Sequence, residues 1–348
     1  MSKLVRDTRF FAKLVGAKLL NKRFPLTAIF NVLNRCNMKC KHCYANYYSR
    51  GDVNTFSTEQ GKQIIKDLHE NGCERLSFAG GEPLLRKDVF ELLDYARSLD
   101  ISTVLNTNGT LIPRFLPELA KLDGLAVSID GRPEHHDLVR GPGTAAQTLK
   151  GIEAAVNYGI PVVTNTVINK KNLGDIDYIL DIARKYRIKA EFALYISNVF
   201  GNDMFDDEHK PTDEEYRTAL KLIIQRKKEG APILFSQTAY EGVLYSWKDF
   251  NFEGGANGTP QPEGMPTCPA ARFFCLIDAD GTLWACPHLI GKIDSKNILE
   301  TSVKEAWQTA EQHTCKGCYQ VYHHEFAHLM KLEPKVIWNY VKPNGGKH

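Results

Sequence analysis

Between residues 27 and 229, short β-branched or apolar runs alternate with longer amphipathic runs, a repeat that predicts successive strand–helix units. The predicted strands are "LTAIFNV" (26–32), "RLSFAG" (75–80), "STVLNTN" (102–108), "GLAVSID" (124–130), "PVVTNTVI" (161–168) and "KAEFALYI" (189–196). A helix is expected after each. The first opens on a capping box, Ser57 with Gln60, and the others fall near 87–99, 112–121, 144–158, 173–187 and 212–229. Repeated βα units predict a parallel sheet with right-handed crossovers, closed wholly or partly into a barrel whose reactive face lies at the strands' C-terminal ends.

After residue 250 the pattern breaks into a Gly/Pro-rich stretch, "NFEGGANGTPQPEGMPTCP", of the kind that separates domains. Beyond it, "FFCLIDADGTLWACP" alternates as a hairpin with "DADG" at its turn, and a helix is expected near 302–312. The expected division is a basic N-terminal helical segment (1–25), a barrel (26–230), a linker (231–267) and a small C-terminal unit (268–348).

Composition narrows the function classes. The chain has 348 residues, 43% apolar and 24% charged, with formal charge +3, so it reads as a folded soluble protein without the basic balance of a nucleic-acid binder. Only the first 24 residues stand out. They carry seven Lys or Arg against Asp7, with Phe10, Phe11, Leu14, Val15, Leu19 and Leu20 between them. The segment is too short and interrupted to span a membrane and lacks a secretory signal, so the protein is expected to be cytoplasmic; residues 1–24 either pack on the main domain or touch a membrane surface.

Nine cysteines point to metal, because a reducing compartment disfavours disulfides. Cys36, Cys40 and Cys43 form CxxxCxxC on the loop after the first strand; Cys268, Cys275, Cys286, Cys315 and Cys318 gather near the end; Cys73 stands apart as an ordinary buried thiol. Three thiolates leave a four-ligand centre one position open, which suits an iron–sulfur cluster that binds a small molecule, while a structural zinc loop is the alternative.

CxxxCxxC followed by Tyr44, with "FAGGEP" (78–83), "NTNGT" (106–110) and "SIDGRPEHHDLVRGPG" (128–143) in order, resembles the radical S-adenosylmethionine (SAM) enzymes over about 200 residues. The resemblance implies a [4Fe–4S] cluster on Cys36, Cys40 and Cys43 whose open iron chelates SAM. It also implies reductive cleavage of SAM to a 5′-deoxyadenosyl radical. Gly80 and Gly81 would let backbone approach the methionine moiety, and Glu82 would accept hydrogen bonds from its ammonium. Ser128 and Asp130 would meet the ribose or carboxylate, Arg140 the carboxylate, and Tyr44 the adenine, with Asn165 or Tyr195 lining its pocket.

The later cysteines spell Cx12Gx4C through Cys268, Gly281 and Cys286, then CxxC at Cys315 and Cys318, which resembles the auxiliary-cluster extensions called twitch and SPASM. Four thiolates, Cys268, Cys286, Cys315 and Cys318, would hold one auxiliary [4Fe–4S] cluster. In "CKGCYQVYHHEFAH", His324 and His328 stand where a longer SPASM run has cysteines, and a variant site using Cys275 and a histidine stays open. The HExxH of "HEFAH" is a weak protease signal beside CxxC.

The implied fold is a partial (β/α)6 TIM-like barrel with a small C-terminal iron–sulfur domain. The implied activity is hydrogen abstraction from a small molecule or peptide, with a lipid or tetrapyrrole as alternative substrate and a flavodoxin- or ferredoxin-type reductant as partner. A non-enzymatic iron–sulfur electron carrier is the competing class. No acid or base is assigned; Glu191, Tyr240 and His288 are candidates.

Overall fold

The computed structural model describes residues 3–43, 55–196, 207–247, 249–250, 263–313 and 318–341; Tyr44 and Cys315 lie outside them. After helix α1 (Lys3–Leu19), the expected alternation appears as parallel strands β1 (Thr27–Asn31), β2 (Arg75–Ala79), β3 (Ser102–Thr107), β4 (Gly124–Ser128), β5 (Val162–Ile168) and β6 (Lys189–Leu194). Between them run α2 (Thr58–Glu70), α3 (Val89–Ser98), α4 (Leu116–Leu119), α5 (Pro133–Arg140), α6 (Thr144–Asn157) and α7 (Ile176–Tyr186), and α8 (Asp213–Lys228) follows β6. The six strands pair in chain order.

Alternation along each strand divides the sheet into two faces. Ala28, Phe30, Leu76, Phe78, Leu105, Val127 and Phe192 are buried in one core with helix residues such as Ile64, Leu92, Ile152 and Leu180. Asn106, Ser128, Asn165 and Glu191 fall on the other face: Ser128 pairs with Asn165, and Asn165 with Glu191. Asn106 Nδ2 donates to Ser77 Oγ at 2.6 Å across that same face. A small, polar concave face is what a barrel needs if it is to hold a ligand instead of a packed interior.

The C-terminal unit is joined to this sheet. β7 (Phe274–Ile277) lies parallel to β1, and β8 (Thr282–Trp284) and β9 (Lys296–Asn297) continue antiparallel, giving the order β6-β5-β4-β3-β2-β1-β7-β8-β9. The expected linker over 231–267 differs too, since it contains α9 (Gln237–Ser246). Ser236 caps this helix through Ala239 N, and Ala239, Tyr240, Val243 and Leu244 are buried. Beyond it come α10 (Val303–Glu311), α11 (Val321–Met330) and α12 (Pro334–Val341), and α9 packs on α8 and α11.

α1 closes the opposite end of the barrel from the cysteine loop. Phe10, Leu14 and Ala17 are buried with Leu26, Phe273, Leu329 and Val336. Arg9 pairs with Glu74 at 2.5 Å, Lys13 pairs with the same carboxylate, and Arg6 pairs with Asp123, residues that precede β2 and β4. Three of its cations and one apolar stripe are thus spent inside the protein. Among the described residues no helix is long and apolar enough to cross a membrane.

Candidate active site

The loop that carries Cys36, Cys40 and Cys43 leaves the C-terminal end of β1 and is tied down by backbone. Gly81 N donates to Leu33 O at 2.8 Å and Glu82 N to Arg35 O at 3.0 Å. These contacts explain the glycine pair. A Cβ on Gly80, whose φ is +125°, would lie 2.4 Å from Leu33 O, and one on Gly81 would lie 2.1 Å from Arg35 O. The close approach they allow is to the cysteine loop itself, a neighbour the sequence did not name.

Glu82 is wholly buried. Its Oε1 accepts from Leu84 N at 3.2 Å and Thr107 Oγ1 at 2.9 Å, and its Oε2 from Asn108 N at 2.8 Å. Burial outweighs these three donors and pushes the carboxyl up to about 7. A carboxylate offers about four acceptor positions, and described residues take three of them. The "NTNGT" turn, in turn, holds the cysteine loop: Asn108 Nδ2 donates to Asn37 Oδ1 at 2.7 Å, and Asn37 Nδ2 to Thr110 Oγ1 at 3.1 Å.

Asp130 has a different place from the one expected. It is fully buried, accepts from Arg140 Nε at 2.5 Å and Val167 N at 2.8 Å, and has His42 Nε2 3.1 Å away. Burial opposes its ionisation, yet Arg140 and His42 hold the carboxyl far below the usual range; Asp130 in turn holds Arg140 charged. With Arg140, Val167 and His42 on its two oxygens it anchors Arg140 and the "CKHC" turn, a partnership within the protein that the resemblance did not name. Arg140 is largely enclosed, its side chain 10% exposed, and lies close enough to Cys40 and Cys43 to act on them electrostatically. Ser128 and Asn165 stand side by side on the concave face, and among the described residues Asn165 Oδ1 is a buried acceptor without a hydrogen-bond partner.

Three supporting residues escaped the sequence reading. Arg86 donates to Val32 O at 2.7 Å and Phe56 O at 3.1 Å, joining the two ends of the segment that contains the cysteines. Asn37 and His42 sit between the thiols, where only the ligands drew notice. The available signal was their polarity on an otherwise ligand-bearing loop.

The thiols fit an iron–sulfur centre by donor chemistry. Burial pushes Cys36 up to about 11 and Cys40 up to about 12, so in the metal-free protein they hold their protons. A cationic metal centre displaces such protons as it binds. The buried Arg140 guanidinium supplies further positive charge to the thiolates.

The other candidates separate. Cys275 is fully buried beside Cys73 in the helix-facing core, in register with Ala28, which leaves it a packing thiol. Cys268, Cys318, His323 and His324 line one small cleft with Trp247, Pro266 and Ala327, and Cys286 Sγ lies 3.3 Å from His323 Nε2. His324 meets Trp247 Nε1 and Cys318 O, Glu325 accepts from Ser236, and His328 pairs with Glu333. Each of the three HExxH side chains therefore has its own neighbours. Tyr240 hydrogen-bonds the Phe192 backbone, Tyr195 is buried with its carbonyl accepting from Tyr216, and His288 Nε2 is 2.7 Å from Tyr322 OH. Glu191, on the concave face, is pushed up to about 7 by desolvation.

Comparison with known proteins agrees with this geometry. Residues 30–183 match the model of the radical SAM superfamily. The chain is 32% identical to an AdoMet-dependent heme synthase of Methanosarcina barkeri, over 79% of this chain and 80% of that one. It is 30% identical to the mycofactocin maturase MftC of Mycolicibacterium smegmatis, over 82% and 71%. Streptococcus suis SuiB bound to S-adenosylmethionine shares the fold, with TM-score 0.66 and 22% identity over 84% of this chain and 68% of that one.

Proposed function

The chain belongs to the radical SAM superfamily, an enzyme family that uses a [4Fe–4S] cluster and SAM, and from that premise we propose that it oxidises a bound substrate with help from an auxiliary [4Fe–4S] cluster. When bound, SAM and its cluster supply a 5′-deoxyadenosyl radical that takes a hydrogen atom from a substrate C–H bond. The auxiliary cluster would accept the substrate radical's remaining electron. In this reading Cys36, Cys40 and Cys43 hold the first cluster and Cys268, Cys286, Cys315 and Cys318 the second.

The observation that carries the proposal is the β1–β7 pairing. The first cysteine loop leaves the C-terminal end of β1, while Cys268 and Cys286 flank the β7–β8 hairpin near the other end of β7. About four residues of strand, roughly 13 Å, separate those ends. Asn31 Nδ2 also donates to Asp278 Oδ1 at 3.2 Å, and Phe56 N to Ala279 O at 3.1 Å, so the hairpin braces both sides of the cysteine segment. Glu82 and Arg140 would orient the amino and carboxyl groups of SAM, and Ser128, Asn165 and Glu191 would face the pocket.

A tetrapyrrole is the first substrate class to test, because the heme synthase relative matches over four-fifths of its own length. A peptide is the second, on the likeness to MftC. Anaerobically reconstituted protein given SAM and a flavodoxin- or ferredoxin-type reductant should form 5′-deoxyadenosine, faster with an iron porphyrin present. Absence of 5′-deoxyadenosine overturns the enzymatic reading. About eight irons per chain supports one auxiliary cluster, and about four removes it.

A further inference from the structure

The auxiliary-cluster reading accounts for the four cysteines and leaves a histidine unexplained at the same place. His323 is fully enclosed, its Nε2 is 3.3 Å from Cys286 Sγ, and its ring lines the cleft shared by Cys268 and Cys318. Its orientation is fixed by aromatic neighbours. Tyr322 lies 4.1 Å from it between ring centroids, and Phe274 meets it edge-on at 5.4 Å. Tyr322 is itself held by His288 through a 2.7 Å contact. Cys286, His288 and His323 place one donor atom each within 4.8 Å of one another.

That closeness constrains what His323 can do. The corners of a cubane each take one protein ligand and point apart, so two donors 3.3 Å from each other cannot serve two irons of one cluster. In the auxiliary-cluster reading the four corners would be taken by thiolates. What a ring nitrogen at this distance can do is donate a hydrogen bond to the cysteine sulfur. Such a bond stabilises the more negative, reduced state of a cluster and so raises its reduction potential.

We propose that His323 Nε2–H donates to the Cys286 thiolate and raises the reduction potential of the auxiliary cluster, with His288 and Tyr322 holding the ring in place. The proposal rests on the auxiliary-cluster reading of the previous subsection. His323 is a positioning residue that acts through Cys286.

The test uses the full chain with Cys36, Cys40 and Cys43 replaced by Ser, reconstituted anaerobically with iron and sulfide so that only the auxiliary centre remains. Metal analysis comes first. About four irons per chain sustains the underlying reading, whereas a single iron or zinc overturns that reading and the hydrogen bond with it. His323→Phe keeps a ring in the aromatic contacts and removes the donor, and redox titration followed by electron paramagnetic resonance should find its midpoint lower than that of the His323 protein. His323→Gln restores an N–H and should recover part of the shift. An unchanged midpoint in both variants overturns the proposal while the iron count stands. In the His323 protein labelled with 15N-histidine, pulsed spectroscopy should detect weak coupling to one imidazole nitrogen. Strong coupling of a direct ligand, or none, overturns the proposal even where the variants fail to fold.

Discussion

The two thiol sites are assembled in opposite ways. The first draws Cys36, Cys40 and Cys43 from eight consecutive positions and fixes them by backbone contacts from Gly81 and Glu82 and by the buried Asp130–Arg140 pair. The second draws Cys268, Cys286, Cys318 and His323 from a pre-strand loop, a hairpin end, the residues leading into α11 and α11 itself, and depends on how those elements pack. A local site survives as a motif because its ligands share one loop. In the distributed site the cysteines keep a recognisable spacing, but no spacing marks His323 as their neighbour.

Replacing Cys40 with Ala should break the first site alone: 5′-deoxyadenosine, measured chromatographically, should fall to background. Cys318→Ala should instead lower the iron count by about four per chain and leave SAM cleavage detectable. If both variants lose both clusters, the two sites are not independent.

Asp130→Ala tests whether the first site leans on its buried pair. Arg140 would be left enclosed without its counter-ion, and unfolding by denaturant should show a loss of about 3–5 kcal/mol. Gly81→Ala should cost less, about 1–3 kcal/mol, since the Cβ meets backbone at Arg35 O that can yield only by moving the loop. Reduced cluster retention after desalting would accompany it.

Glu191 gives a smaller, pH-dependent effect. Its carboxyl is raised from 4.5 to about 7 in the folded chain, so the folded state binds the proton more tightly than the unfolded state does. Its stabilisation is complete below pH 4.5 and is lost as pH rises through about 7. Glu191→Gln should flatten that part of the stability–pH curve, measured by denaturant midpoints. The least change is expected at the outward face of α1, where Leu4 and Leu19 are 76% and 81% exposed. Changing both to Ser should shift stability by no more than about 0.5 kcal/mol, so loss of co-sedimentation with anionic vesicles would report a membrane contact apart from folding. Deleting residues 1–22 would not separate the two, because Phe10 and Leu14 belong to the core.

The barrel was legible because hydrophobic periodicity survives in its strands and longer helices, and the capping box at Ser57 and Gln60 is present as expected; α5 was not, because it buries only His136 and Val139. α9 was not, because a helix of ten residues with Tyr240 and Leu244 buried lies just before a Gly/Pro-rich stretch whose composition dominated the reading. The resemblance implies a ligand contact for Asp130, and the structure shows it paired with Arg140. Position along a strand locates the reactive end but does not tell which side chains there are already paired.

The amino-acid order alone established the βα repeat, the open three-thiol loop and the glycine pair beside it, because each is a local pattern of spacing and residue type. Packing decided that Cys275 is a core thiol and His323 a neighbour of Cys286, and it gave Asp130 to Arg140. Those outcomes depend on which distant residues share a buried space, where an unpaired charge or donor is costly and each polar group must find its partner in three dimensions.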